Sequence, residues 1–149
     1  MTAPSYSEIE IGFALPTRTV QIQRHDLVRY GGSACDYNPI HWDERTAAAI
    51  GLPHPITHGM LTMGVALGAV TAWAGDPAAV VDYGGRWPRP VPVPNDGFGA
   101  ELEVSATVAE KLEPPLVRLN VTVRCGGATV LTMPRTMVAL RLLGALHPS

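Results

Sequence analysis

The sequence is poor in cysteine and in net charge, and each shortage excludes a class of protein. Only two cysteines, Cys35 and Cys125, occur in 149 residues, too few for a disulfide framework and without the spacing of a metal site. We therefore expect a reducing, cytoplasmic setting. The formal net charge is −2, with 11 Lys and Arg against 13 Asp and Glu. This balance offers no basic face for phosphates, so nucleic acid is not expected as a partner.

Charged side chains are absent from one long stretch: no Asp, Glu, Lys or Arg lies between Ala47 and Gly75. A membrane span is one interpretation, but Pro53 interrupts the stretch, and residues 59–75 alone are at the short limit for crossing a bilayer. We expect instead a helix buried on all sides in a soluble protein. The first residues also lack the basic start and apolar run of a signal peptide, so none is expected.

Hydrophobic periodicity predicts one long helix followed by long strands. The helix runs from Gly59 to the stop signal Gly75-Asp-Pro. Before it, residues 18–23 alternate as a strand, and residues 25–30 fit a short helix ending at Gly31-Gly32. Period-two alternation then predicts strands over 102–108, 117–123 and about 129–142. We expect a single domain over residues 1–149, of α+β class, with one long helix wrapped by an antiparallel β-sheet.

Prolines mark two places where this sheet has to be irregular. Within residues 83–94, proline recurs at every second position from Pro88, so one side of the segment cannot donate hydrogen bonds to a neighbouring strand. We expect an edge strand or a stretch that leaves the sheet there, with a polyproline-type surface connector as the alternative. Pro134, inside the last predicted strand, has to lie at an edge or a bulge.

The hexapeptide Asp36-Tyr-Asn-Pro-Ile-His41 carries the clearest indication of chemistry. It places a carboxylate and an imidazole five positions apart on an irregular segment stiffened by Pro39. General acid and base groups are held at a fixed separation in this way. On spacing alone, however, a structural explanation is the stronger one, because an Asp before Asn-Pro often closes a turn and a single His often bonds to the backbone.

A second candidate segment, Thr57-His58-Gly59-Met60, begins the apolar helix. A helix start presents free amide hydrogens, and Gly59 would let the oxygen of another molecule approach them closely. Such a donor stabilises negative charge that develops on this oxygen during a reaction. Spacing alone favours the alternative that Gly59 only permits a tight turn and His58 caps a loop.

Small side chains line one face of the predicted helix at a spacing of four, in the series Met60, Gly64, Gly68 and Ala72. Two explanations are open. Either a strand packs unusually close to the helix there, or a groove admits an acyl chain along it.

The run from Tyr30 to Ala47 resembles the signature of the MaoC-like, hydratase 2 family of hot-dog proteins. His58-Gly-Met resembles the second landmark of that family, and residues 86–96 resemble its Pro-Val-containing strand. The motifs are most similar to those of the B subunit of actinobacterial (3R)-hydroxyacyl-acyl-carrier-protein dehydratases. The positions that match the signature are Tyr30, Asp36, Asn38, Pro39, Ile40, His41 and Ala47.

The resemblance implies a hot-dog fold and an (R)-specific hydro-lyase that dehydrates 3-hydroxyacyl thioesters, or hydrates trans-2-enoyl thioesters, in fatty-acid elongation. It implies that Asp36 and His41 are the catalytic pair, without assigning base and acid, and that Asn38 positions them. The thioester oxygen is expected at the Gly59 amide, with His58 and Thr62 beside it. The substrate would be an acyl-CoA or an acyl carrier protein thioester. No cofactor is expected, and the chain is expected to form a homodimer or a heterodimer with a related hot-dog subunit.

The sequence departs from the family pattern at two positions. Cys35 stands where glycine is usual, directly before Asp36, and could perturb the backbone or offer an oxidisable thiol. Leu67 replaces a serine found on the central helix of some family hydratases, so we expect any hydrogen bond made by that serine to come from elsewhere, such as Thr62.

Other functions fit the sequence less well or stay open. A hot-dog thioesterase with a carboxylate on the central helix is disfavoured, because no Asp or Glu lies between Glu44 and Asp76. Two alternatives stay open: an acyl-chain-binding subunit active only with a partner chain, and an enoyl-CoA hydratase of fatty-acid degradation. A metal hydrolase is not expected, since no familiar ligand spacing is present in its candidate set, His41, Asp43, His54 and His58.

Overall fold

A computed structural model describes residues 4–142 of the chain. The ends of the predicted 1–149 domain, and the first three residues on which the expectation about a signal peptide partly rests, lie outside this range. The helices are α1 (Arg24–Ala34), α2 (Glu44–Ala49) and α3 (Gly59–Ala74), and short 3₁₀ turns span Pro39–His41 and Pro77–Ala79. The strands are β1 (Arg18–Ile22), β2 (Val80–Arg86), β3 (Ala100–Lys111), β4 (Leu116–Cys125) and β5 (Ala128–Ala139).

The described strands form one antiparallel sheet in the order β1-β3-β4-β5-β2, and α3 packs against it. This is the hot-dog arrangement of a long helix held by an antiparallel sheet, so the predicted fold class is confirmed. The three predicted strands after the helix are β3, β4 and β5, each longer or shorter than expected by a few residues at its ends.

The core lies between α3 and the inner face of the sheet. Alternate residues of β3 and β4, such as Leu102 and Leu119, are fully buried, as the period-two pattern predicts. From the helix, Met63, Ala66 and Val70 pack against them. Each fully buried Leu or Val side chain contributes about 1.5–3 kcal/mol relative to leaving it in water.

The expectation that α3 is buried on all sides is wrong. Its face formed by Met60, Gly64, Gly68 and Ala72 is exposed, because the single sheet covers only the opposite side of the helix. A Cβ atom added to Gly64 or Gly68 would meet nothing within 4 Å. A closely packed strand therefore does not explain the small residues, and the acyl groove along this face stays a prediction.

Helix α1 runs through both of the glycines at which it was expected to stop. It begins at Arg24 after a capping box, in which the Gln23 amide donates to Asp26 Oδ2 at 2.9 Å. It ends where Cys35 adopts the left-handed conformation, with φ 53° and ψ 31°. The sequence signal pointed to glycine because glycine is the usual residue in this conformation.

Both predicted proline irregularities are present. The edge strand β2 ends at Arg86, and the following residues leave the sheet and form an isolated bridge, between Pro92 and Ile56, outside it. Pro134 lies at a register shift, between the pairs Leu119–Thr136 and Val121–Met133, where the bulge removes the need for its missing amide hydrogen.

Candidate active site

The turn that carries Asp36 and His41 is fixed by its own hydrogen bonds. Asp36 Oδ1 accepts from the Asn38 amide at 3.2 Å, and Asn38 Oδ1 accepts from the Ile40 amide at 3.1 Å. The second bond caps the 3₁₀ turn that ends in His41. A single asparagine therefore bonds the segment that presents the carboxylate and the segment that presents the imidazole.

Arg24 holds this part of the chain against the proline-rich segment. Its guanidinium donates to the Val93 carbonyl and to the Glu44 carboxylate, and its side chain is mostly buried. The start of α1, the start of α2 and the segment after β2 are joined at one point. Sequence reasoning missed this residue, because its partners lie 20 and 69 positions away.

His41 faces Asp36 with its free nitrogen. Its Nδ1 lies 2.8 Å from the Ile56 carbonyl oxygen, which can only accept, so Nδ1 carries a proton. In the neutral ring the lone pair is therefore on Nε2, which lies 3.9 Å from Asp36 Oδ2. That distance is too long for a direct hydrogen bond, so both groups are available to an atom placed between them. The His41 side chain is 12% exposed and that of Asp36 is 48% exposed.

His58 packs beneath this pair. It is 3% exposed, and its ring stacks on that of His41 with the centroids 3.7 Å apart. Its Nε2 lies 3.4 Å from the Asp36 carbonyl oxygen. Burial, followed by the proximity of His41, holds the pKa of His58 below its usual value of 6.5. A neutral His58 can support His41 without opposing a positive charge on it.

The three side chains are close enough together to raise the question of a metal. In the described part of the chain, the possible ligand atoms of Asp36, His41 and His58 all lie within 4.8 Å of one another. The two rings are stacked at 23°, however, so their in-plane lone pairs run side by side instead of converging on one ion. The alternative set with Asp43 and His54 is not assembled: Asp43 caps α2 through Thr46, and His54 lies beside Glu44.

Gly59 and His41 line one cavity of about 190 Å³, together with Trp87 and Arg89. The Gly59 amide is the first of α3, and within residues 4–142 it has no acceptor. The Trp87 indole donates to the Gly59 carbonyl at 2.9 Å, and a Cβ on Gly59 would lie 3.2 Å from its Nε1. The close approach of Trp87, and not a tight turn, is therefore what a side chain at this position would crowd.

Thr62 also lines this cavity, but its hydroxyl is already bonded. It donates to the His58 carbonyl at 3.4 Å and lies 2.8 Å from the Thr57 hydroxyl, which then has to donate to it. Both protons are used inside the protein, an arrangement that fixes the start of α3 and leaves no Thr62 proton for a substrate.

Other positions singled out in the sequence lie around the site without joining it. Cys35 is exposed, and its left-handed backbone explains why glycine suits this position. Leu67 is partly buried on α3. The cavities lined by Asp36 and by His41 include neither Met60, Gly64 nor Gly68. Trp87, 28 residues from Gly59 in sequence, carried no signal beyond being an aromatic residue at the start of the proline series.

None of the helices in residues 4–142 is long and apolar enough to cross a membrane.

Comparisons with known proteins agree with the fold. A family model described as the MaoC like domain matches residues 8–124. The solved structure of a MaoC-like dehydratase is 36% identical with a TM-score of 0.88, covering 93% of this chain and 43% of that one. R-hydratase PhaJ1 from Pseudomonas aeruginosa is 28% identical with a TM-score of 0.79, covering 97% of this chain and 94% of that one.

Among curated relatives, peroxisomal enoyl-CoA hydratase 2 of Arabidopsis thaliana is 44% identical over 54 residues. The match covers 35% of this chain and 18% of that protein, so the chain spans less than one fifth of that relative.

Proposed function

Because the chain belongs to the MaoC-like domain family, we propose that it is an (R)-specific hydro-lyase acting at C2 and C3 of acyl thioesters. It interconverts 3-hydroxyacyl and trans-2-enoyl thioesters, with Asp36 and His41 as the catalytic pair. The observation that carries the proposal is the 3.9 Å gap between Asp36 Oδ2 and His41 Nε2, the ring nitrogen that does not contact Ile56, next to a free helix-start amide.

The position of each group suggests its role. His41 shares a cavity with Gly59, so a thioester oxygen bound at the Gly59 amide places C2 next to Nε2. In dehydration, Nε2 removes the C2 proton while negative charge moves onto the thioester oxygen, where the amide stabilises it. Asp36, in its protonated form, gives a proton to the C3 hydroxyl, which leaves as water. Hydration reverses each transfer.

Neighbouring groups hold the Asp36 and His41 side chains in position during these proton transfers. The Ile56 carbonyl accepts from His41 Nδ1 in both protonation states, so the ring need not turn when Nε2 gains a proton. Asn38 positions both members through the turn. Buried His58 supports the His41 ring, and the hydroxyls of Thr57 and Thr62 fix the Gly59 end of the site.

An absorbance assay of enoyl thioester hydration tests the proposal. We expect Asp36→Asn and His41→Ala each to lower kcat by about 10²–10⁴, because each removes a proton-transfer group. His25→Ala is the matched control, since His25 is an exposed histidine of α1 outside the site. Chiral analysis should find only the (R) product. Full activity in both site variants would reject the proposal.

The carrier and the pathway are part of the same proposal. The resemblance to the dehydratase B subunit favours a carrier-protein thioester in fatty-acid elongation, whereas the name of the plant relative favours a CoA thioester. Measuring kcat/KM on the same enoyl chain attached to each carrier decides between them. A value at least tenfold higher on the carrier protein would support elongation.

A subunit that works only with a partner chain is the second candidate. It is favoured by the coverage of the 36%-identical structure, of which this chain spans 43%. We propose a dimer with a second hot-dog chain, either a copy or a related subunit. Light scattering combined with the hydration assay tests this: a purified homodimer with full activity would exclude dependence on a different subunit.

A further inference from the structure

We infer that Trp87 is a positioning residue for the reaction: its indole holds the start of α3 so that the Gly59 amide stays aimed into the cavity that it shares with His41. The inference rests on the proposed function, in which this amide binds the thioester oxygen, and adds the residue that fixes its direction. Trp87 acts through the backbone of Gly59 and not by contact with the reacting atoms.

Both peptide groups that meet at Gly59 are held by hydrogen bonds. On one side, the His58 carbonyl accepts from the Thr62 amide at 3.2 Å and from the Thr62 hydroxyl at 3.4 Å. Because a peptide group is planar, this carbonyl orients the Gly59 N–H on the opposite side of the same plane. On the other side, the Gly59 carbonyl accepts from Trp87 Nε1 at 2.9 Å. The Trp87 bond therefore restrains the second plane.

The start of α3 depends on this restraint more than an ordinary helix start does. Its first residue is Gly59, and glycine can adopt more backbone conformations than any other residue. A side chain at the N-cap usually bonds to the first turn of a helix and fixes it. The N-cap residue here, His58, makes no such bond within the part of the chain that the structure describes. The Trp87 indole provides a bond to the first turn from another segment.

The position of the indole agrees with this role. A Cβ on Gly59 would lie 3.2 Å from Trp87 Nε1 and 3.3 Å from Cε2, so the edge of the ring lies directly over the glycine. Trp87 follows the last residue of β2 and precedes Pro88, which restricts its backbone to extended conformations. The residue is 45% exposed. Burial of the ring therefore does not explain a tryptophan at this position, whereas a donor to the Gly59 carbonyl does.

A purely structural role for Trp87 is the competing explanation. Its bond would then only attach the segment after β2 to α3, and its loss would lower stability without changing the chemistry. Trp87→Phe separates the two explanations, because phenylalanine keeps an aromatic ring over Gly59 and removes the donor. Trp73→Phe is the matched control. Trp73 lies near the other end of α3, and it does not line the cavity that contains Gly59.

The kinetic experiment measures hydration of crotonyl-CoA by both variants in the full chain. We expect Trp87→Phe to lower kcat about tenfold and to leave KM within about twofold, because the amide acts mainly on the charge that develops in the transition state. This loss is smaller than the roughly 10²–10³ that follows removal of an oxyanion donor, since the amide itself remains. Trp73→Phe should keep kcat within about twofold of wild type. Thermal unfolding checks that both variants are folded.

An infrared measurement keeps this inference separate from the proposed function. Butanoyl-CoA labelled with ¹³C at the thioester carbonyl has no double bond to hydrate, and its carbonyl stretch falls in frequency when an amide donates to the oxygen. We expect one band at the same low frequency when it is bound to wild type or to Trp73→Phe, and a band at higher frequency in Trp87→Phe. If the wild type hydrates nothing but Trp87→Phe shows this shift, the proposed function fails and the assignment of Trp87 stands. An unchanged band in Trp87→Phe, or an unchanged kcat in an active enzyme, overturns the assignment.

Discussion

The sheet and the catalytic turn are built on opposite principles. In β3, β4 and β5 nearly every buried position is apolar and the backbone is satisfied by its neighbouring strands. Around the catalytic pair, by contrast, Thr57, His58 and Thr62 are buried polar side chains, three of the five found among residues 4–142. Apolar burial in the sheet stabilises the fold, whereas polar contacts in the turn hold reactive groups at defined distances.

This division has a physical reason. Apolar burial is non-directional and tolerates small displacements, so it stabilises a fold without fixing individual atoms. Hydrogen bonds are directional and lose strength with misalignment. The contacts from Asn38, Ile56 and His58 can therefore position the Asp36–His41 pair, at a smaller gain in stability than the core provides. Substitutions in the two regions should separate stability from activity.

The largest effect on stability is expected in the sheet. Leu119→Ala opens a cavity at a fully buried position of β4 and should lower the free energy of unfolding by about 2–5 kcal/mol. Turnover per folded molecule should change less than twofold, since Leu119 does not line the site cavities. Urea unfolding and active-site-normalised assays measure both quantities. Asn120→Ala, at an exposed neighbouring position, is the control. A large loss of activity in folded Leu119→Ala would contradict the expected separation between stability in the sheet and activity in the catalytic turn.

An intermediate effect on stability, with a larger one on activity, is expected at Asn38. Asn38→Ala removes the cap of the 3₁₀ turn and should cost about 0.5–2 kcal/mol of stability. Because His41 ends this turn, kcat should fall about tenfold to a hundredfold while KM changes little. Asn38→Ser restores a capping oxygen without adding charge, and should recover most of kcat. If alanine and serine behave alike, Asn38 does not act through the cap.

The same division decides how much the sequence could predict. Alternation in β3 and β4 is a local pattern, and it was sufficient to predict both strands and their buried face. The glycine signal predicts the end of α1 too early, because Cys35, and not Gly31 or Gly32, adopts the left-handed conformation. The hexapeptide pointed to Asp36 and His41, but the Trp87–Gly59 contact joins distant segments, and no local pattern encodes it.

The smallest expected effect is on the pH dependence of stability, which should arise around the catalytic pair and not in the sheet. The pKa of His58 is lowered in the folded chain, chiefly by burial, from a usual value of 6.5. Above about pH 6.5 His58 is neutral in both folded and unfolded chains and adds no pH dependence. Below it, the unfolded chain takes up a proton that the folded chain resists, so the free energy of unfolding falls as the pH falls towards the folded pKa.

Urea unfolding at pH 7.5 and 5.5 measures the contribution of His58 to the pH dependence of the free energy of unfolding. His58→Gln should be less stable than wild type at pH 7.5, since it loses a packed ring, yet lose less stability on acidification. His25→Gln, which removes an exposed histidine, should keep the wild-type difference between the two pH values. Suppose His58→Gln loses as much stability between pH 7.5 and 5.5 as the wild type does. Burial of His58 then does not oppose its protonation, and acid destabilises the site no more than it destabilises the sheet.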